Sequence, residues 1–569
     1  MTGLERSRNE LAASVKTPVR PLFIAFVAPL AALLIAAAPT APPLVPAPAR
    51  ALIESGNRIH GHIEFLADDL LEGRDTGSRG HSVAAVYVAS QFRSLGLIPG
   101  GERGGWYQQV PFRTASHAAE PQVTLIEGGR RIPLKFEVDA AVRPSSVRRE
   151  RVFDTPLVFV GYGLDDPRLG LFDYRGLDVR GKTVVALSGT PAGLPTEIAA
   201  HLSSQKEEMA ARQGAVGYIE VSRDTIASRN PSGLAAFARR PTVDWVDAAG
   251  KAGNTPPGLA FNLRLSREYA ERLFNGSPQS LAAIRRSAQT KNARPAGFPM
   301  ASRIAVNAAS TWQDFTSPEV IGVLPGSDPV LRDEYVVLMG HLDHLGIKKD
   351  AKPGEDAIYN GALDNAAGVA TMLEAARLFV ESGKRPRRSV MFIANTGEEK
   401  GLLGADYFAA HPTVPIGKIV SVVDLDMPVP LYDFTDVTAF GADHSTVAKA
   451  VANAGAAMGI TVSPDPMPEE SIFVRSDHYR FVLRGVPAIL LFTGFANGGK
   501  AQWDHFLSKV YHTPQDDLSQ PINWIAAARY GELNYRIARA LADETRRPLW
   551  YRGDYFGDTY APGQPRAER

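Results

Sequence analysis

The chain has 569 residues, 44% hydrophobic and 22% charged, with a formal net charge of +1 at pH 7. Those values predict a globular protein of two or three domains, and the lack of a basic run or acidic tail argues against nucleic acid or an anionic membrane surface as a partner. No cysteine is present, so disulfides, cysteine-ligated zinc and a lipid-modified N-terminal cysteine are excluded.

Residues 1–49 read as a targeting segment. Arg6, Arg8, Lys16 and Arg20 precede an apolar run from Pro21 to Ala38, and small residues follow as Ala36-Ala37-Ala38 and Ala47-Pro48-Ala49. A basic start, an apolar middle and a small-residue exit describe a signal peptide, which predicts a periplasmic or secreted protein without stable membrane association after cleavage. An uncleaved anchor is the weaker reading. The run is 18 residues, near the minimum for a spanning helix, and the prolines from Pro39 to Pro48 favour cleavage or a linker.

Three further regions follow in chain order. Residues 50–129 open with Ile59, Ile63, Leu66, Leu70 and Leu71 at helical spacing, then a loop EGRDTGSRG, a second helix from His81 to Leu95, and a strand in GGWYQQVPF. Residues 130–295 alternate strands with loops and one helix and end in two Pro/Gly-rich stretches; they read as a separate domain inserted into the first. Residues 296–569 carry short apolar strands at Tyr335–Met339, Ser389–Asn395, Lys418–Asp426 and Ala488–Leu491. Helices are expected at Ala366–Glu381, Leu402–Ala410, Ser445–Met458 and Ile522–Asp543. This alternation predicts an α/β fold with a mostly parallel central sheet flanked by helices, and ligands in such sheets bind beyond the carboxyl ends of the strands.

Chemistry-bearing residues cluster at those ends. His341 follows the strand VVLM, and Asp343 lies two residues on, where an extended backbone points it the same way. His344 beside them reads as an ordinary loop histidine. Asp364 sits among small residues in NGALDNAAG; it is either a helix cap or a carboxylate bridging two ions. Glu398 and Glu399 are adjacent acids at a strand end, which repel each other unless a cation or proton intervenes. One could ligate metal while the other takes a proton from bound water. Asp426 ends KIVSVVDLD, on the same face as Asp424. His512 lies in YHTPQDD, with Tyr511 placed to donate to an oxyanion. Histidine and carboxylate ligands suit zinc when cysteine is absent.

In order and spacing these motifs resemble those of the M28 zinc peptidases, an aminopeptidase family with two co-catalytic zincs. HLDHLG, NGALDNAAG, NTGEEKGLLG, DLDM, SDHYRFVLRGVPA and YHTPQDD carry the resemblance, and FLADDLLEGRDTGSRGHSVAAVYVASQFRSLGLIPGG is similar to its bacterial members. Within 130–295, DYRGLDVRGKTVVAL and RQGAVGYIEV resemble a protease-associated domain, which implies a smaller β-rich α+β insert in a zinc-peptidase fold.

The resemblance implies two Zn²⁺ per chain. His341 and Asp426 would hold one, Glu399 and His512 the other, with Asp364 bridging. It implies Glu398 as general base, Asp343 as support for His341, Tyr511 at the tetrahedral intermediate, and Ser476-Asp477-His478 as lining. Two departures are Asp424, where Asn is more usual, and Met427-Pro428 after the ligand. The expected activity is removal of N-terminal residues from peptides with a free N-terminus. The alternatives are a carboxypeptidase, a glutaminyl cyclase on the same fold with one zinc, or a receptor-like binding protein that has lost its ligands. The insert is expected to cap the site and limit substrate length.

Overall fold

The computed structural model describes residues 49–223, 231–290 and 293–569. The targeting segment read in residues 1–49 therefore lies almost wholly outside the described residues. Among the described residues, no helix is long and apolar enough to cross a membrane.

Four parallel strands make the centre of the main sheet, in the order Ser389–Asn395, Tyr335–His341, Ile419–Asp424 and Ala488–Thr493. Almost every residue in them is buried, on both faces. Strands covered on both sides lose the alternation of a half-exposed sheet, so their sequences read as unbroken apolar runs. Antiparallel strands extend both edges. Phe298–Leu324 joins Ser389–Asn395 and carries Tyr107–His117 beyond it. On the other side Asp436–Phe440 joins Ala488–Thr493, followed by Thr461–Ser463.

Helices Ala49–Leu66, Ala367–Glu381 and Trp524–Asp543 pack against one another, and the last two also against the central strands. The helix Trp524–Asp543 starts where the Asn523 side chain accepts from the Ala526 N–H. It buries Ala527, Tyr530, Leu533, Ile537 and Leu541 at three- and four-residue spacing. The first helix stops at Leu66, earlier than the apolar spacing predicts. Asp68 caps a separate 3-10 turn by accepting from Leu70 N–H, and this leaves Leu70 86% exposed while Leu71 is buried. The strand expected to reach Asp426 ends at Asp424, which places Asp426 in the following loop.

A smaller lobe has its own apolar core, drawn from residues between Val123 and Ala308. Its strands Glu150–Phe159, Thr183–Leu187, Gly217–Val221 and Phe261–Leu265 run parallel in that order. The 27-residue strand Phe298–Leu324 belongs to both sheets. Its first half pairs with Glu150–Phe159 and Gln122–Glu127 in the smaller lobe, its second half with Tyr107–His117 and Ser389–Asn395 in the main one.

Candidate metal centre

Parallel register sets the site. His341 pairs with Asn395 and Met339 with Asp424, so the segments leaving three adjacent strands emerge side by side. His341 closes one strand, Glu398 and Glu399 follow the second, and Asp426 follows the third. Asp364 comes from a turn of π-helix, Ala362–Ala366, that leads into the helix Ala367–Glu381. The glycine ending that motif has a steric reason. A Cβ on Gly368 would lie 2.0 Å from Leu425 O and 2.1 Å from Asn365 Oδ1, so only glycine lets the helix approach the loop that carries Asp426.

Asp364 divides its carboxylate between two histidines. Its Oδ1 lies 3.2 Å from His341 Nε2, and its Oδ2 lies 3.3 Å from His512 Nε2. His341 Nε2 also lies 3.1 Å from Asp426 Oδ1, and His512 Nε2 lies 3.3 Å from Glu399 Oε2. The result is two histidine–carboxylate groups with one shared aspartate. His341, Asp364 and Asp426 are all buried. The Asp343 carbonyl accepts from His341 Nδ1–H at 2.9 Å, which fixes the tautomer whose Nε2 lone pair points at the two carboxylates. Such a lone pair needs a cation or a proton between it and them.

The electrostatics agree. Burial disfavours charge on Asp364, yet hydrogen bonds from His341 and His512 outweigh it and hold this carboxyl below its usual range. Burial and the neighbouring Asp364 likewise oppose charge on Glu399, but His344 and His512 lower it to about 2. Burial lowers the two imidazoles, but their carboxylate partners win: His341 rises well above its usual value and His512 to about 10. Glu398 behaves differently. Burial, aided by Glu399 and Asp426, pushes its carboxyl well above the usual range.

Two expectations need correction. His344 is no loop histidine: it is fully buried, its Nδ1 lies 2.8 Å from Glu399 Oε1 and 3.9 Å from Asp364 Oδ2. It therefore stands beside the second group as a further imidazole. Asp343 holds His341 by its main-chain carbonyl; its side chain instead accepts from Thr76 Oγ1 at 2.8 Å and from Glu398 N–H at 3.3 Å. The strand ends at His341, so the same-face rule for extended residues no longer applies at 343.

Other residues hold the ligands without facing the centre. Asp516 accepts from Leu363 N–H at 2.8 Å and Asp364 N–H at 2.9 Å, one with each oxygen. Ser476 Oγ contacts Asp426 Oδ2 at 2.7 Å and Asp424 Oδ2 at 2.9 Å, so SDH lines the site through its serine. Arg74, from the EGRDTGSRG loop, is 1% exposed and donates to the carbonyls of Leu342, Asn360, Gly361 and Leu66. It thereby ties the N-terminal segment to the loops bearing His341 and Asp364. In sequence Arg74 is one of two arginines in a turn-rich stretch and Asp516 one of two adjacent aspartates; nothing local distinguishes the buried member.

A pocket opens beside Asp364, Glu398, Asp426 and Tyr511, walled by Met427, Ile472, Leu490, Phe492 and Leu507. The Tyr511 ring stacks on His512 with centroids 3.8 Å apart, and burial together with the site carboxylates keeps its hydroxyl protonated.

Paired histidine–carboxylate groups thus stand at the carboxyl edge of a parallel-centred α/β sheet, an arrangement that could hold metal ions. Residues 319–538 match the model of Peptidase family M28. The chain is 29% identical over 282 residues to leupeptin-inactivating enzyme 1 of Streptomyces exfoliatus, covering 46% of this chain and 58% of that protein. It is 36% identical over 109 residues to a "probable zinc metalloprotease" of Pyrenophora teres f. teres, covering 19% of this chain and 22% of that one. Both matches span less than two thirds of the relative's length. Among solved structures it is similar to an aminopeptidase from Aneurinibacillus sp. strain AM-1, with a TM-score of 0.48 and 20% identity, covering 88% of this chain and 97% of that one.

Proposed function

We propose that the protein is an exported zinc aminopeptidase that removes N-terminal residues from peptides. The observation that carries this reading is the placement of Asp364, with one oxygen toward His341 and the other toward His512. The donor set suits two zinc ions: nitrogen and carboxylate oxygen are the ligands zinc takes in the absence of thiolate. His341 and Asp426 would hold one ion, His512 and Glu399 the other, and Asp364 would bridge. When bound, the ions polarise the scissile carbonyl and lower the pKa of a water to about 7.

The chain's own groups supply the rest. Glu398 lines the pocket beside the ligands, and its raised pKa suits a carboxylate that accepts a proton and returns it to the leaving amine. The Tyr511 hydroxyl, kept protonated, is a donor for the oxyanion of the tetrahedral intermediate. The apolar wall from Met427 to Leu507 receives the N-terminal side chain, and the site's acids favour the substrate's free α-ammonium.

The test joins zinc analysis of the purified protein to a panel of aminoacyl-p-nitroanilides and peptides with free or acetylated N-termini. The expected result is close to two zincs per chain and hydrolysis of free N-termini only. Cleavage of acetylated peptides would point to a carboxypeptidase. A single zinc with cyclisation of N-terminal glutamine would point to a cyclase.

A further inference from the structure

The loop from Glu470 to Ser476 is a partition with space on both sides. Glu470, Ile472 and Ser476 face the catalytic pocket, Ser471 and Val474 face a second cleft, and Arg475 lines both. The second cleft has a volume of about 500 Å³, within the range for ligand sites. Its far wall comes from the smaller lobe and includes Lys206, Glu207, Glu220, Asn262 and Arg264.

The charges in this cleft are not equally engaged. Lys206 donates to the Leu187 carbonyl at 2.6 Å and lies 3.7 Å from Glu220; Glu207 accepts from Asn262. Among the described residues the one carboxylate paired with Arg475 is the exposed Glu470, at 2.9 Å, with the two side chains 44% and 48% exposed. Such pairs contribute little in water and are readily exchanged. Arg264 stacks on Phe237 at 4.1 Å, and among the described residues no carboxylate pairs with it. Two arginines thus line one cleft, and guanidinium groups bind a carboxylate in a fork geometry that ammonium groups lack.

We propose that Arg475 binds a carboxylate on the leaving side of the scissile bond, that of a short peptide's C-terminus, with the cleft receiving the residues between. The assignment rests on the aminopeptidase reading. There the apolar wall takes the N-terminal side chain, so the charged exit past Arg475 is left for the departing segment. Arg475 is then a specificity-determining residue, and the smaller lobe forms the outer wall of the substrate path.

The test compares kcat/KM for Leu-Ala-Ala, its C-terminal amide, and Leu-Ala-Glu amide, with leucine p-nitroanilide alongside. The free acid is expected to exceed its amide about tenfold, chiefly through KM, as for one charge-assisted hydrogen bond. Arg475→Gln is expected to bring that ratio to near one, Arg475→Lys to keep part of it, and Glu470→Gln to raise it by freeing the guanidinium. If Arg475→Gln fails to fold, as judged by its melting temperature, Glu470→Gln decides alone. Recovery of the preference by Leu-Ala-Glu amide would place the recognised carboxylate on a side chain and overturn the C-terminal assignment. A ratio of one in the wild type, or an unchanged ratio in Arg475→Gln, overturns the proposal. If no substrate is cleaved, leucine p-nitroanilide included, the aminopeptidase reading fails and takes this one with it.

Discussion

Arg74 allows the clearest test of how the candidate metal centre is held. Its guanidinium is buried, donates to four main-chain carbonyls and has no carboxylate within ion-pair distance among the described residues. Burial lowers its pKa to about 10, against the pull of Asp516, Asp364, Asp343 and Glu399. In Arg74→Met the four carbonyls lose their donor inside the protein. At about 1 kcal/mol or more for each orphaned acceptor, the loss is roughly 4 kcal/mol. Relief from burying the charge reduces this, and losing a cation near those carboxylates increases it. Against a usual stability of about 5–15 kcal/mol the change is large. Urea unfolding of EDTA-treated protein measures it free of any metal contribution, and the same variant, reloaded, should bind zinc more weakly. Arg74→Lys has three donors for four acceptors and should fall between. A midpoint shift worth less than about 1 kcal/mol, with normal zinc content, would refute the idea that this residue braces the ligand loops.

Other expectations follow from single contacts. Asp516→Asn replaces one acceptor oxygen with a donor facing either Leu363 N–H or Asp364 N–H; zinc affinity, measured by chelator competition, should fall about 10- to 100-fold. Glu398→Gln should lower kcat by about 10²–10⁴ while leaving zinc content unchanged, and retained turnover would remove Glu398 as the base. Gly368→Ala forces a methyl against Leu425 O and Asn365 Oδ1 and should cost about 3 kcal/mol of stability in urea unfolding. His444 Nδ1 lies 2.6 Å from Asp554 and its Nε2 2.9 Å from Glu197 of the smaller lobe; burial opposes its charge, but both carboxylates raise its pKa to about 9. A raised folded pKa gives stability that is complete below pH 6.5 and lost as pH rises through 9, by at most ~3 kcal/mol. His444→Gln should flatten that slope in melts across the same window.

The central strands were legible because burial on both faces leaves no alternation to misread, so Ser389–Asn395 was found to the residue. Boundaries set by local hydrogen bonds were not: Asp68 ends the first helix early and turns Leu70 to solvent. The candidate site was legible where a side chain closes a central strand, as His341 does, or follows one within two residues, as Asp426 does. His344 was misjudged because one residue's step off a strand decides between solvent and core, and that step depends on a turn geometry the sequence does not encode locally. Arg74 and Asp516 bond to Leu342 beside His341 and to Asp364, nearly 270 and just over 150 residues away in sequence, and only the folded chain reveals such partners.

The strand Phe298–Leu324 has a mechanical consequence. It is a stiff beam bonded along its length to neighbours in both sheets, and Thr242–Trp245 pairing with Tyr107–His117 and Glu197 meeting His444 tie the lobes further. Any rocking of the smaller lobe must twist this beam or break ladder bonds. The spacing across the cleft between Arg475 and the smaller lobe is therefore built in during folding rather than set by encounter. Excising the smaller lobe would also strip the beam's first half of its partners, leaving a raw edge open to pairing with other chains.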